Sequence, residues 1–481
     1  MTETAHSVRQ KTTRAIFWTL LELSGSLIVQ FVLGILLARL LAPAEFGVIG
    51  MLNIFLALSL LFLNAGLGQA LIYKKEVTAA DKDTLFYFNI IVGAIMSGLL
   101  VLFSGKIADF YQTPQLKLIC WVLALDPFLN ALSLIQFTLL KKALNFRPLT
   151  NVTLIAVTLS GIIGVMFAWY GWGVWALVFQ NLSNNFFRTV LLWWFGGWRP
   201  GFNFKWTSLR ELGQYGSKIL LAGITDVVFK NLYSVIIGKL YSPAMLGFYN
   251  RAYSLEQLPG RFIQNIISRV SFSSFSSLNT NIPELKQHYR ETERLFLAIT
   301  LPAMTILALS AQPLVSFLLT DKWLPSVPLL QVLCVSAPLY LQQTLEGNLL
   351  KSIGCVGTCL VLDTGKKILL VALIWMFFNH GVVMLIWFDA ITSLLLFLSM
   401  RAFTMRFIRY RLYEQLQDMA RYTLLALLVG GGCLCVLYWY SSSEKFLQLT
   451  LLGIISIVLY LSGAFLLRDE LILGIIRNLF F

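Results

Sequence analysis

Apolar runs of about 18 to 25 residues recur from one end of this 481-residue chain to the other, each long enough to cross about 30 Å of hydrocarbon as a helix. Lipid offers the backbone no hydrogen-bond partners, so a segment that crosses it has to satisfy its own amides, and a helix does this internally. The runs fall near 15–38, 46–72, 85–104, 118–140, 150–170, 173–195, 215–238, 249–275, 292–319, 325–350, 356–378, 382–400, 422–440 and 446–467. They predict an all-α integral membrane protein of about fourteen transmembrane helices. The runs that meet at Tyr170–Gly171 and at His380–Gly381 leave room for only a very short turn, and reading either pair as one interrupted element lowers the count. A soluble core is excluded, because 58% of the residues are hydrophobic and 12% are charged, about half the usual charged share.

A net charge of +14 suggests nucleic acid until the charges are placed along the chain. With the N-terminus inside, the cytoplasmic segments collect 24 of the 37 Lys and Arg, among them Arg9, Lys74, Lys141, Arg188, Arg210, Arg290, Arg401 and Arg411. Outside segments hold six, Arg39, Lys106, Lys117, Lys239, Lys322 and Lys445, and seven fall within the runs. This bias follows the positive-inside rule and predicts an even number of spans with both ends in the cytoplasm. The start, with Arg9, Lys11 and Arg14, resembles a signal peptide, but the apolar run after it is too long and lacks a small-residue cleavage site, so the first span is expected to stay attached. The six cysteines fall within or beside the runs and read as packing residues, since no histidine or second cysteine pair completes a zinc site with Cys355 and Cys359.

A repeat divides the chain. Arg39-Leu40-Leu41-Ala42-Pro43-Ala44-Glu45-Phe46-Gly47 returns 200 residues later as Lys239-Leu240-Tyr241-Ser242-Pro243-Ala244-Met245-Leu246-Gly247. In both copies a basic residue closes one span, Pro-Ala makes the turn and Gly opens the next. Each copy joins the first and second spans of a six-span block, which gives a first bundle at 1–200, a second at 201–408 and a helix pair at 409–481. Six spans return the chain to its starting side, so the two blocks share one orientation about an axis along the membrane normal, an arrangement found in transporters.

Buried ionisable residues then point to function, because a charge at the bilayer centre costs roughly 2.5–3.5 kcal/mol on translocon scales. The eighth run carries Asn250, Arg251, Glu256, Arg261, Gln264, Asn265 and Arg269. Arg251 and Arg269 lie five whole turns apart on one face, with Arg261 displaced by about 80°. Such a helix is expected to line a hydrated, cationic cavity, with Pro259–Gly260 as a point of interruption. The seventh run adds Asp226 and Lys230 at i,i+4, where they are able to neutralise each other. Glu22, Gln30, Asp126, Gln342, Glu346, Asp363, Lys367 and Asp389 are also placed in the membrane, where helix-to-helix hydrogen bonding competes with substrate contact as their role. Most of the cations within the runs fall in the second block, at Lys218, Lys230, Arg251, Arg261, Arg269, Lys366 and Lys367, which predicts that this block grips an anionic head group.

Three stretches carry a family resemblance: Leu246-Gly247-Phe248-Tyr249-Asn250-Arg251-Ala252-Tyr253-Ser254 with Leu258-Pro259; Ile267-Ser268-Arg269-Val270 leading to Phe275; and Asp321-Lys322-Trp323 followed by Pro328-Leu329-Leu330-Gln331-Val332-Leu333-Cys334. The chain resembles the Wzx-type polysaccharide flippases of the multidrug/oligosaccharidyl-lipid/polysaccharide exporter superfamily, in the colanic-acid-exporter-like branch. The resemblance implies two six-helix bundles around a central cavity with a C-terminal helix pair. It implies export of undecaprenyl-pyrophosphate-linked oligosaccharide to the periplasmic leaflet of a bacterial inner membrane, with no catalytic residues and no cofactor. Arg251, Arg261, Arg269 and Lys230 would hold the head group, while Asp226, Glu22, Asp126 or Glu256 would bind a coupling proton or sodium ion. Membrane lipids, the lipid-linked oligosaccharide, and polysaccharide polymerase and assembly proteins would be the partners.

Two rivals stand beside this reading. A cation-coupled multidrug antiporter of the same superfamily would want acidic residues in its cavity, whereas the charges in the runs are weighted to Arg and Lys. A membrane polymerase or glycosyltransferase would present a large extramembrane loop, and the outward loops here are short, without an acidic pair, a phosphate-cradling glycine loop or a catalytic triad. His6, His288 and His380 lie near predicted loops and form no constellation.

Overall fold

The structure, a computed structural model, describes residues 2–64, 67–74, 76–278, 281–440 and 445–466; side chains are described from 17 onward, except those of 214, 215, 218, 219, 222, 261, 262, 265–270, 272 and 273. Among the described residues there is no strand. The helices are α1 (Thr2–Leu40), α2 (Pro43–Asn64), α3 (Leu67–Tyr73), α4 (Ala79–Tyr111), α5 (Leu116–Leu123), α6 (Leu125–Lys142), α7 (Phe146–Trp169), α8 (Val174–Phe195), α9 (Trp206–Leu240), α10 (Pro243–Leu278), α11 (Ile282–Leu309), α12 (Ala311–Leu319), α13 (Val327–Ser352), α14 (Val356–Phe377), α15 (Val382–Ile408), α16 (Leu412–Trp439) and α17 (Lys445–Leu466).

Among the described residues, ten helical stretches are long and apolar enough to cross a membrane. The other four predicted spans fall on α8, α9, α10 and α14, which are 22 to 36 residues long but carry more polar side chains. In α14, for instance, Asp363, Lys366 and Lys367 sit close together near the middle. The doubtful pairs resolve into separate helices. Gly171 and Gly173, both at positive φ, turn the chain between α7 and α8, and Gly381 at φ 92° does so between α14 and α15. Other breaks follow proline chemistry. Pro127 lacks an amide hydrogen and its ring crowds the carbonyl of Leu123, where α5 ends; Pro313 stands in the same relation to Leu309 at the end of α11. Pro259 behaves differently. The expected interruption at Pro259–Gly260 does not occur, because α10 runs on as helix through it, which is the tolerance that membrane helices show when neighbours re-satisfy the freed carbonyl.

The chain forms two compact units, Met1–Gly247 and Phe248–Phe481. In the first, α1 packs on α7, α7 on α8, α4 on α6, and α9 on α2, α3 and α4. Small residues set the approach of α1 to α7: a Cβ on Gly161 would lie 2.0 Å from Leu33, and one on Gly25 would lie 2.9 Å from Leu154. Outside the spans, Lys74 reaches both Asp81 and Glu211, 2.9 Å from the latter. Its hydrogen bond to Glu211, helped by Asp81 and opposed by burial, raises the ammonium above its ordinary pKa of 10.5.

The sequence repeat has a structural counterpart. A Cβ on Gly47 would lie 1.7 Å from the carbonyl oxygen of Pro243, and one on Gly247 would lie 1.9 Å from the carbonyl oxygen of Pro43. The contact is reciprocal, as two copies of one turn meeting about a local two-fold must be. Each turn is capped by one half of a capping box. Glu45 accepts from the Ala42 amide at 2.6 Å in the first, and the Ser242 hydroxyl accepts from the Met245 amide at 3.2 Å in the second.

In the second unit, α13 packs on α15 and α11, α14 on α15, and α16 on α11 and α17. Tyr422 and Leu425 of α16 and Ala464 of α17 are buried in the same core as Phe296 and Leu297 of α11. At the end of this core, Lys286 pairs with Glu414 at 2.7 Å, while Arg290 and Arg294 both pair with Asp418 at 2.9 and 2.6 Å.

Two residues counted with the cytoplasmic segments lie within long helices. Arg188 lies inside α8 and Arg401 inside α15, each about two turns from the helix end. Both are drawn inward by carboxylates on neighbouring helices, which a count along the sequence has no means of registering.

Candidate functional site

The first unit holds a polar cluster at the junction of α1, α6, α7 and α8. Asp126 begins α6 just past the Pro127-induced break and is buried. It accepts from the Asn130 amide at 3.2 Å and from the Asn185 amide of α8, whose amide also reaches Asn181 at 3.3 Å. Asn181, Asn185 and Arg188 share one face of α8. The Arg188 guanidinium lies 4.7 Å from the Phe137 ring and the Lys141 ammonium 4.3 Å from the same ring. Glu22 of α1 accepts from the Thr153 hydroxyl of α7 at 3.0 Å. Arg188 is within electrostatic reach of Glu22 and Asp126, and Lys141 of Glu22. Two cations and two carboxylates therefore balance one another around an aromatic face.

Of the predicted residues, the structure thus unites Glu22 and Asp126 around a cation, Arg188, that had been counted with the cytoplasmic segments. The signal was present in the sequence: Asn181, Asn185 and Arg188 recur at helical spacing inside an apolar run. Asp226 and Lys230 lie on α9, both exposed.

In the second unit, α10 places Arg251 with its guanidinium 5.5 Å from the ring of Trp323, which is fully buried in the 3-10 turn Asp321–Ser326 and also meets Phe248 edge-on. Tyr249 stacks on Tyr253 at 6.0 Å. Glu256, one turn further, is buried and accepts from the Gln257 amide at 2.9 Å. Arg261 and Arg269 lie on α10, but their side chains, like that of Lys218, are outside the described ones.

The two lysines of α14 have partners. Lys366 donates to Ser393 at 2.7 Å and lies 3.7 Å from Asp389, while Lys367 pairs with Asp363 at 2.7 Å. Their charge is offset within the unit, so the cationic excess expected of the second block is smaller than the sequence suggests. With Arg188 and Lys141 added to the first unit, positive charge lies within helices of both.

Residues 36–328 match the family described as polysaccharide biosynthesis protein, more than half of the chain. The chain belongs to that family. Among its relatives, the teichuronic acid biosynthesis protein TuaB of Bacillus subtilis (strain 168) is 23% identical over 73% of this chain and 73% of its own. The lipopolysaccharide biosynthesis protein WzxC of Escherichia coli (strain K12) is 25% identical over 68% and 67%, and the succinoglycan biosynthesis transport protein ExoT of Rhizobium meliloti (strain 1021) is 23% identical over 69% and 67%. A lipid II flippase MurJ in an inward closed conformation superposes with a TM-score of 0.76 at 14% identity, covering 95% of this chain and 100% of that one. An inward-facing MATE-family multidrug transporter gives 0.62 at 14% identity, covering 81% and 99%. The protein is thus a multi-pass membrane member of the polysaccharide biosynthesis family with the helical fold shared by these transporters.

Proposed function

We propose that this protein flips undecaprenyl-pyrophosphate-linked oligosaccharide from the cytoplasmic to the periplasmic leaflet of a bacterial inner membrane, moving its substrate without reacting with it. The observation that carries the reading is the presence of cations held among membrane helices, Arg251 on Trp323 and Arg188 with Lys141 on Phe137, in a polysaccharide biosynthesis family member. A pyrophosphate leaves water only where such charges replace its hydration. Arg251, Arg261, Arg269 and Lys230 are the proposed head-group residues, and Arg188 and Lys141 join them.

In this scheme the bundles at 1–200 and 201–408 rock against each other about a central cavity while the lipid tail stays in the bilayer, and the pair at 409–481 stabilises the second bundle. Both termini face the cytoplasm. An inside-negative potential favours outward movement of the anion by about 2.3 kcal/mol per charge per 100 mV. Asp226, Glu22, Asp126 and Glu256 are the proposed carriers of a coupling proton or sodium ion. In the first unit the logic is direct: a proton on Glu22 or Asp126 releases Arg188 and Lys141 for phosphate, and its loss reclaims them. A polysaccharide polymerase and assembly proteins are the proposed partners that consume the flipped product.

The test is leaflet-to-leaflet movement of an undecaprenyl-pyrophosphate oligosaccharide in proteoliposomes, comparing wild type with Arg251→Ala and Arg269→Ala at matched incorporation. Movement by the wild type and at least a tenfold loss in both variants is expected. The second reading, a cation-coupled multidrug antiporter, would be favoured if the wild type moved no lipid-linked glycan but exported cationic dyes against a proton or sodium gradient.

A further inference from the structure

A second buried charged cluster, separate from the residues assigned above, lies in the second unit between α11, α13, α15 and α16. Among the described residues, Arg401 of α15 is its only cation. Its Nη1 donates to Glu346 of α13 at 2.7 Å and to the Tyr289 hydroxyl at 2.6 Å, and its Nε donates to Gln415 of α16 at 2.8 Å. Its Nη2 lies 2.7 Å from Glu293 of α11. Glu293 and Glu346 are both 0% exposed, and Arg401 is 4% exposed.

The two carboxylates are not equivalent. Glu346 receives donors from Arg401, from the Tyr289 hydroxyl at 2.7 Å and from the Thr404 hydroxyl, so both of its oxygens are served as an ionised carboxylate requires. Neither oxygen of Glu293 has a hydrogen bond of acceptable geometry; its contact with Arg401 is close but misaligned. One guanidinium cannot neutralise two fully desolvated carboxylates, and like charges sharing such a site drive one of them to take a proton.

No other charge settles the account. On α11, Arg290 and Arg294 are committed to Asp418, and Lys286 to Glu414. The Tyr410 hydroxyl, in the link to α16, also donates to Asp418, at 2.6 Å. His288 turns its ring to Phe275 of α10. Glu346 is the charged group from α13 and Arg401 the one from α15. A metal cation is disfavoured at Glu293 because the Arg401 guanidinium already occupies its approach.

We infer that Glu293 is a proton-binding site whose occupancy decides how Arg401 is shared between α11 and α13. With the proton in place, Arg401 belongs to Glu346 and ties α15 to α13. When the O–H bond of Glu293 breaks and the proton leaves to water, the new carboxylate competes with Glu346 for the same guanidinium and pulls α15 toward α11. Lys286, Arg290 and Tyr410 lead from the exposed start of α11 toward Arg401, with the Tyr410 ring 5.2 Å from its guanidinium, which marks the route for exchange. The proposal rests on the transport reading only for what the proton drives.

The test is pH-difference infrared spectroscopy of the full-length protein in lipid nanodiscs, comparing wild type, Glu293→Gln and Glu346→Gln. Gln has the shape of the neutral acid, so Glu293→Gln preserves the protonated arrangement. The expected result is a protonated-carboxyl band in the wild type that fades as pH rises, is absent from Glu293→Gln, and in Glu346→Gln fades at lower pH, because Arg401 is then left to Glu293 alone. A band unchanged in Glu293→Gln overturns the assignment, as do a band that fades at the same pH in Glu346→Gln as in the wild type and a wild type with no such band. The band reports protonation without any glycan substrate, so its outcome is independent of whether the protein flips lipid-linked oligosaccharide. Should Glu346→Gln fail to fold, the presence of the band in the wild type and its absence from Glu293→Gln decide the assignment.

Discussion

Gly47 and Gly247 provide the most direct perturbation of the repeat. A methyl group at either would sit 1.7 or 1.9 Å from a backbone carbonyl oxygen of the opposite turn, where ordinary contact begins near 3.4 Å. Each turn would have to retreat by about 1.5 Å, and a packed interior has no void to receive that movement. Side-chain overpacking typically costs about 1–3 kcal/mol, and here the obstructing atom is backbone with no rotamer to change. Gly47→Ala and Gly247→Ala are each expected to cost about 3 kcal/mol. Because a single separation of the turns relieves both clashes, the double variant should cost well under the sum, with a coupling of about 2 kcal/mol. SDS-driven equilibrium unfolding in mixed micelles measures all four corners of the cycle. Gly98→Ala and Gly105→Ala are the controls. Nothing lies within 4 Å of a Cβ at either, and both sit inside α4, so helix propensity alone makes them neutral or stabilising by up to about 1 kcal/mol. Full additivity of the two turn variants, or a cost no larger than that of the controls, would refute the reciprocal packing.

Other outcomes follow from contacts already given. Asp418→Asn leaves Arg290 and Arg294 without their carboxylate; since both cations reach water, the cost in the same unfolding assay should be about 2 kcal/mol, below the 3–5 kcal/mol of a sealed pair. Trp323→Leu removes the aromatic face under Arg251 and should slow flipping in proteoliposomes several-fold, whereas Trp323→Phe, which keeps a ring, should slow it less. The Lys74 ammonium titrates above its ordinary 10.5, so its contribution to stability is complete below that pH and is lost as pH rises through the elevated value. A thermal midpoint followed across that range should fall more in wild type than in Lys74→Met. Asp126→Asn should weaken the pH dependence of flipping while leaving the protein folded, and an unchanged pH profile would remove Asp126 from the coupling scheme.

The fold was legible wherever a rule acts along the chain. Apolar run length gave the helices and the Pro-Ala turns gave the repeat that Gly47 and Gly247 realise in space, whereas the breaks before Pro127 and Pro313 fall inside the runs 118–140 and 292–319, which had been read as unbroken. What could not be read was which polar groups meet. Arg188 and Arg401 were counted with the cytoplasmic segments because the positive-inside rule sorts charges by their order along the chain. Their actual positions depend on Asp126, Glu293 and Glu346, which lie 62, 108 and 55 residues away in sequence. Pro259 is the converse case. A local rule predicted a break, and the helix ran on through it.

These pairings change the argument about substrate. Counting cations within the runs favoured the second block as the grip for an anion, but Lys366 and Lys367 are matched there by Asp389 and Asp363, and Arg401 by Glu346. A matched cation binds phosphate only by leaving its carboxylate, so its gain is the difference between two ion pairs, and that difference is small unless the carboxylate takes up a proton at the same moment. Buried pairs of this kind therefore make anion binding and proton binding one event. Glu22 and Asp126 around Arg188 have this arrangement in the first unit, as do Glu293 and Glu346 around Arg401 in the second. If flipping is coupled to protons, neutralising one carboxylate in either cluster should shift the pH at which transport turns on, whereas neutralising an unmatched cation should lower the rate at every pH.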